Sequence, residues 1–256
     1  LGGGFAFAIL IINKERISFG KSISVVMFTS FLDGLFFALI APVVYFIAGR
    51  EGLFSSLNSE AAQQLAHGKE LYFTFWFIYF AILFYKLIIA YALFVNAHAV
   101  KQFLNKLFSF KYLKKWQAKA NETGEEMVIA SKELQGKNVA YWLRSFTATC
   151  ISWSARFIII NCIIMAFSSI PFDHFLLYAR QVVMGILMIG SPTPGGSGVA
   201  EIMFSNFLGE FIHNKSLTFS LALLWRLISY YPYLFVGAIV LPRWVNRVFK
   251  KDELLK

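Results

Sequence analysis

The sequence predicts an all-α integral membrane protein, a polytopic helical bundle with inverted-topology repeats and re-entrant helical hairpins. Three observations lead there. Of its 256 residues, 58% are hydrophobic and 15% charged, with 29 phenylalanines and a mean hydropathy of +0.61. Several apolar runs exceed the roughly 18 residues needed to cross a hydrocarbon core of about 30 Å. Within one apolar region, the stretch Ser191-Pro192-Thr193-Pro194-Gly195-Gly196-Ser197-Gly198-Val199-Ala200-Glu201 sets helix breakers beside a carboxylate. Unpaired backbone groups are so costly in hydrocarbon that a broken backbone persists only where protein buries it or a wet cavity meets it. The stretch therefore reads as a site before it reads as a turn.

The elements follow in chain order. Ser22 to Ala48 is the first span, carrying Asp33 and a kink expected at Pro42. A polar connection over Gly49 to Glu70 leads to the second span, Leu71 to Val95, with Lys86 near its middle. Lys101 to Lys119 then interleaves six lysines with Phe103, Leu104, Leu107, Phe108, Leu113 and Trp116, the pattern of an amphipathic helix on an anionic leaflet. With the polar helix expected over Asn121 to Asn138, residues 97–144 form a cytoplasmic insertion. Ser145 to Phe167 is the third span. Asp173 to Ile189 and Val199 to Ile212 are short arms of a re-entrant hairpin over 173–213, and Leu217 to Leu241 is the last span. Residues 1–256 thus read as a single membrane domain.

Basic segments at Asn13 to Lys21, Lys101 to Lys119 and Arg243 to Lys251 place those stretches in the cytoplasm. Parity is satisfied if residues 173–212 enter and leave on the outer side, which puts the Pro/Gly stretch at a hairpin tip near the bilayer centre. The beginning of the chain repeats this layout. Gly2-Gly3-Gly4, a short apolar arm, a polar turn and a full span match Gly195 to Gly198, a short arm, His213 to Lys215 and a full span. Their opposite orientation makes an inverted repeat, an architecture that puts a binding site between the halves.

The net charge of +10 points to anionic headgroups rather than nucleic acid, since no soluble basic fold is available to bind it. Cys150 and Cys162 read as free, buried thiols, and the scattered His67, His98, His174 and His213 give no metal site. The letters of a retrieval signal at Lys251 to Leu254 are followed by two more residues and carry no such meaning. The chain opens on Leu1 without a charged signal region, so upstream residues, including further spans, are expected.

Pro192-Thr193-Pro194-Gly195-Gly196-Ser197-Gly198 followed by Glu201, with Arg226 inside the final span and Gly237 near its end, resembles the lysylphosphatidylglycerol synthase transmembrane family. This is the flippase-like domain of the multiple peptide resistance factor and its stand-alone relatives. The resemblance runs from about Gly2 to Arg243. It implies a multi-pass protein of the bacterial inner (cytoplasmic) membrane that moves polar lipids, such as aminoacylated phosphatidylglycerol, between leaflets. The family's synthase is a separate soluble domain, so aminoacyl transfer is not expected of this chain. Relatives commonly place a charged residue after the first glycines, where this chain has Phe5, Ala6, Phe7 and Ala8.

Ionisable groups at membrane depth are functional candidates by default. Here they are Asp33, Lys86, Arg156, Glu201 and Arg226. Ser145, Thr149, Ser152 and Arg156 share one helical face, expected to point into the protein with Trp153 and Asn161 beside it. Arg156 and Arg226 suit a phosphate diester. Exposed amides at the start of the Val199 helix favour an anion, and Glu201 either restrains an arginine or meets a headgroup amine. The substrate-binding set is therefore Asp33, Arg156, Asn161, Arg180, Pro192, Thr193, Pro194, Gly195, Gly196, Ser197, Gly198, Glu201 and Arg226. Against this stand structural ion pairs for the charges, close helix packing for the glycines, snorkelling for Lys86 and an interface anchor for Arg180.

A lipid flippase is the leading reading, with membrane phospholipids and an anionic cytoplasmic leaflet as partners and a homo-oligomer left open. No nucleotide motif is present, so no cofactor is expected. A secondary carrier of a small anion is the alternative. An intramembrane enzyme acting on lipid phosphate or a polyprenyl carrier is less favoured, because no nucleophile, acid or base constellation surrounds the motif.

Overall fold

The computed structural model describes residues 2–15, 17–54, 68–108, 117–134, 136–168, 171–191 and 193–253. Every regular element among them is helical. Four segments are long and apolar enough to cross a membrane, Lys21–Phe54, Leu71–Phe94, Val139–Phe167 and Lys215–Arg247. The exposed faces of these helices are themselves apolar: Phe46, Phe73, Phe77 and Phe84 all project outward. Such a surface suits lipid and not water. The protein is an all-α, multi-pass membrane protein.

Its helices sort into two compact units, residues 1–38 with 80–150 and residues 39–79 with 151–256. The long helices α2 (Phe19–Phe54), α3 (Gly68–Phe94) and α6 (Val139–Phe167) each give one part to each unit.

In the first unit, α1 (Gly2–Lys14) contributes Ile9 to a core built from Ile23, Met27, Phe28, Phe31 and Leu32 of α2 and Ile89, Ala92 and Leu93 of α3. The loop after α3 starts α4 (Ala97–Phe108), where the Asn96 side chain caps the helix by accepting from the Ala99 amide at 2.9 Å. α5 (Gln117–Leu134) adds Ala130 and Leu134 to the core, and its Ser131 hydroxyl donates to the Leu93 carbonyl at 3.0 Å. α4 and α5 are joined by the Lys101–Glu125 ion pair at 3.1 Å. The amphipathic helix expected over Lys101 to Lys119 starts earlier, at Ala97, and is described as far as Phe108; 109–116 lie outside the described residues. α6 likewise starts at Val139, six residues before the expected Ser145, because the Asn138 side chain caps it through the Tyr141 amide at 2.9 Å.

The second unit holds the hairpin. α7 (His174–Ile189) is capped by Asp173, whose carboxylate accepts from the Phe175 and Leu176 amides at 2.9 and 3.0 Å. α8 (Val199–Leu208) returns against α7, and short 3-10 turns lead on to α9 (Thr218–Ser229) and α10 (Tyr231–Glu253). Two backbone expectations change. The last span is not one helix but breaks at Tyr230 (φ −123°, ψ −53°). Pro232 contributes to this, since it offers no N–H to a carbonyl of the turn before it. In α2 the backbone leaves helical geometry at Gly49 (φ 68°, ψ 170°), whereas Pro42, where the kink was expected, lies inside the helix.

Candidate functional site

The hairpin tip is assembled from backbone that only glycine adopts easily. After α7 ends, the Ser191 and Thr193 hydroxyls bond at 3.0 Å, and a 3-10 turn over Pro194–Gly196 is closed by the Gly196 amide donating to the Thr193 carbonyl at 3.0 Å. Gly195 and Gly198 sit at φ 65° and 82°, in the left-handed region that costs other L-residues about 1–2 kcal/mol. Glu201, in the first turn of α8, folds back to accept the Gly198 amide at 2.7 Å. A carboxylate there also complements the positive end of the helix dipole.

Its other oxygen faces α9. Arg226 Nε donates to Glu201 Oε1 at 3.2 Å, and Nη2 donates to the Gly195 carbonyl at 2.9 Å. The guanidinium lies 4.2 Å from the ring centroid of Tyr230, the residue at the helix break. Tyr230 in turn fills the space above Gly195, where an added Cβ would come within 2.7 Å of Cζ and closer still to the hydroxyl. Arg226 is 4% exposed and the Glu201 side chain 13%, so the pair is almost wholly desolvated. The tip, the start of α8, α9 and the α9–α10 break are held by this one constellation. It brings Gly195, Gly198, Glu201 and Arg226 together; Ser197 is exposed at the tip, Gly196 is buried there, and Pro192 lies outside the described residues.

The remaining expected site residues lie in other environments. Asn161 on α6 is buried, donates to the His174 carbonyl at 3.3 Å and accepts from Gln181 Nε2 at 2.9 Å. Arg180 is 1% exposed, not an interface anchor. Helix α7 is buried on all faces around it, through Leu177, Ala179, Val182 and Val183, so the guanidinium meets protein acceptors instead of headgroups. It donates to the Gly52 carbonyl at 2.8 Å and the Phe207 carbonyl at 3.0 Å, and pairs with Glu210 at 2.7 Å. The polar face of α6 does not turn inward along its length: Ser152 and Arg156 are exposed, and the Arg156 guanidinium lies over Trp153, 4.9 Å from its centroid. Asp33, in the first unit, is also exposed.

Three residues of these networks were not singled out in the sequence. Tyr230 could have been, since it precedes Tyr231-Pro232 and stands four residues after Arg226, the spacing of helical neighbours. Glu210 and Gln181 carry no local signal, because their partners come from other helices. Among the described residues, no three His, Cys, Asp or Glu side chains are grouped as a metal would need.

The family model described as Lysylphosphatidylglycerol synthase TM region matches residues 1–237, a stretch that includes the whole tip constellation. The chain belongs to this lysylphosphatidylglycerol synthase transmembrane-region family. It is also 24% identical over 262 residues to a UPF0104 membrane protein of Archaeoglobus fulgidus, an alignment covering 99% of this chain and 72% of that protein. No solved structure matches it. Membership of the transmembrane-region family is thus set by sequence, and the tip geometry adds how the chain's glycines, acid and arginine are arranged.

Proposed function

We propose that this family member is a flippase, passing a polar lipid headgroup between the leaflets of a cytoplasmic membrane. The observation that carries the reading is the hairpin tip: irregular glycine backbone, pinned by a desolvated Glu201–Arg226 pair, inside a chain of membrane-length apolar helices. Such backbone at membrane depth belongs where protein or a polar path surrounds it. Membership of a family named for a lipid-synthase transmembrane region supports a lipid as the substrate.

In this reading the charges divide by role. Glu201 restrains Arg226 and neutralises it, so the pair shapes the path rather than gripping a phosphate. Arg156, exposed and stacked on Trp153, supplies the cation that a phosphate diester meets. The acyl chains stay in lipid while the headgroup crosses. No step of this reading calls for covalent chemistry or a cofactor.

Reconstitution in liposomes containing labelled lipids tests it. Native protein is expected to exchange labelled lipid between leaflets, and Arg156→Ala and Glu201→Gln to do so more slowly. Exchange no faster than in empty liposomes, across anionic, zwitterionic and aminoacylated lipids, ends the flippase reading. Movement of a water-soluble anion in the same vesicles would replace it with an anion carrier.

A further inference from the structure

Two helices of the second unit leave a groove in its apolar outer surface. α6 presents Ala155, Ile159, Cys162 and Ala166 at the spacing of one helical face, and α9 sets Leu224 and Ile228, four residues apart, along the other wall. Three of the four α6 positions are small, which hollows the surface. The groove has a volume of about 430 Å³, within the range of about 300–1,000 Å³ that small-molecule sites occupy. Its lining is apolar, and the Cys162 thiol, expected from the sequence to be buried, is exposed in it.

Along α6 the lining runs from Ala155 to Phe167, roughly 18 Å at 1.5 Å per residue. That is close to the depth of one leaflet of a hydrocarbon core of about 30 Å. At the Ala155 end stands Arg156, exposed, with its guanidinium over the Trp153 ring. Such a stack engages the flat face of a guanidinium, and the N–H donors lie in its plane, directed away from the ring. Groove and cation are thus arranged as a phospholipid is, an apolar chain joined at one end to an anionic phosphate. Arg156 also stands near the middle of the 29-residue α6. Lipids that merely surround a membrane protein keep their headgroups outside the hydrocarbon core. A chain in this groove would instead draw its phosphate to mid-depth.

We propose that the groove between α6 and α9 holds one acyl chain of a phospholipid whose phosphate is bound by Arg156. This deepens the flippase reading and rests on it for the lipid being in transit between leaflets.

A phosphatidylglycerol with a photoreactive diazirine on one acyl chain, added in trace amount to the purified chain in non-ionic detergent, reports its position by peptide mass spectrometry. No transport is needed. Labelling is expected at Ile159, Cys162, Leu224 and Ile228 well above that at Phe77 and Val240, which are exposed and apolar but outside the groove. Diacylglycerol with the same labelled chain lacks the phosphate and should label the groove about tenfold less, the worth of a charge-assisted hydrogen bond. Arg156→Gln should bring phosphatidylglycerol down to that level. Cys162→Trp, or Ala166→Phe as a second way to fill the groove, should abolish the labelling while melting close to the native protein, since both positions are exposed. Equal labelling of groove and control positions overturns the proposal, as does equal labelling by the two lipids or native labelling in Arg156→Gln. Disulfide-linked dimers through Cys162 that exclude the lipid would give the groove to a second copy and overturn it too. Groove labelling by a protein that exchanges no lipid in liposomes would keep the assignment and end the flippase reading alone.

Discussion

The Arg226 guanidinium lies 4.2 Å from the Tyr230 ring centroid, and Tyr230 is the residue at which the last membrane span breaks. The stack places an arginine and a helix break on the same glycine, Gly195, whose carbonyl accepts from Arg226 and whose missing Cβ makes room for the tyrosine. A hairpin tip and the span behind it are thereby one mechanical element: neither can shift without disturbing the desolvated Glu201–Arg226 pair.

Glu201→Gln removes the negative charge and leaves Arg226 buried without its counter-ion. Breaking one side of such a pair costs roughly 3–5 kcal/mol, whereas removing both sides costs much less. The single variant is therefore expected to unfold at clearly lower temperature in detergent, and Glu201→Gln with Arg226→Met to recover much of the loss. Equal melting temperatures for native and Glu201→Gln protein would show that the pair does not hold the tip.

Gly195→Ala carries two penalties, the left-handed backbone at about 1–2 kcal/mol and the collision with Tyr230 at roughly 1–3 kcal/mol. Only the second can be relieved by a partner substitution. In a double-mutant cycle, Tyr230→Ala should be less damaging in the Gly195→Ala background than in the native chain, with a coupling of about 0.5–3 kcal/mol from thermal unfolding. Strict additivity would mean that the two residues do not touch.

How far this arrangement could be read from sequence depends on what each residue needs from its surroundings. Glu201, Arg226 and the glycines stand out because charge and helix breakers are conspicuous in apolar segments; the nearness of Glu201 to the glycines follows from one short hairpin, whereas Arg226 reaches them from the next helix. Tyr230 is one aromatic among many, with 29 phenylalanines and 11 tyrosines in the chain, and its role depends on meeting Gly195 from another helix. Arg180 looked like an interface residue because it sits near the end of a short arm; its partners at Gly52, Phe207 and Glu210 come from distant parts of the chain. Helix type was legible from hydropathy, but ends were not. The start of α6 is fixed by the Asn138 cap, a polar side chain that an apolarity scan passes over.

Arg180 gives a prediction of the structural kind. Glu210→Gln removes the carboxylate that pairs with the 1%-exposed Arg180 guanidinium and leaves its carbonyl acceptors in place. Loss of stability is expected, by the same physics as at Glu201, and lipid preference is expected to stay as in the native protein at temperatures where both are folded. A changed order of preference among anionic and zwitterionic lipids would move Arg180 from the scaffold to the path.

Arg156 and Arg226 should separate folding from function. Arg156 is exposed, and its contact is a stack on Trp153 at 4.9 Å, an interaction worth about 0.5–1 kcal/mol at exposed sites. Arg156→Ala should therefore melt close to the native protein. Arg226→Ala deprives Glu201, Gly195 and Tyr230 of a shared partner at once and should melt well below it. If Arg156 meets the phosphate, its loss slows exchange of anionic lipid without unfolding the protein, and Arg156→Lys, which keeps the charge but not the fork, recovers only part of the rate. Lipid-exchange rates measured beside melting temperatures for Arg156→Ala, Arg156→Lys and Arg226→Ala decide the matter. Native exchange rates in Arg156→Ala would remove it from the path, and the cation that meets the headgroup would then have to be sought elsewhere.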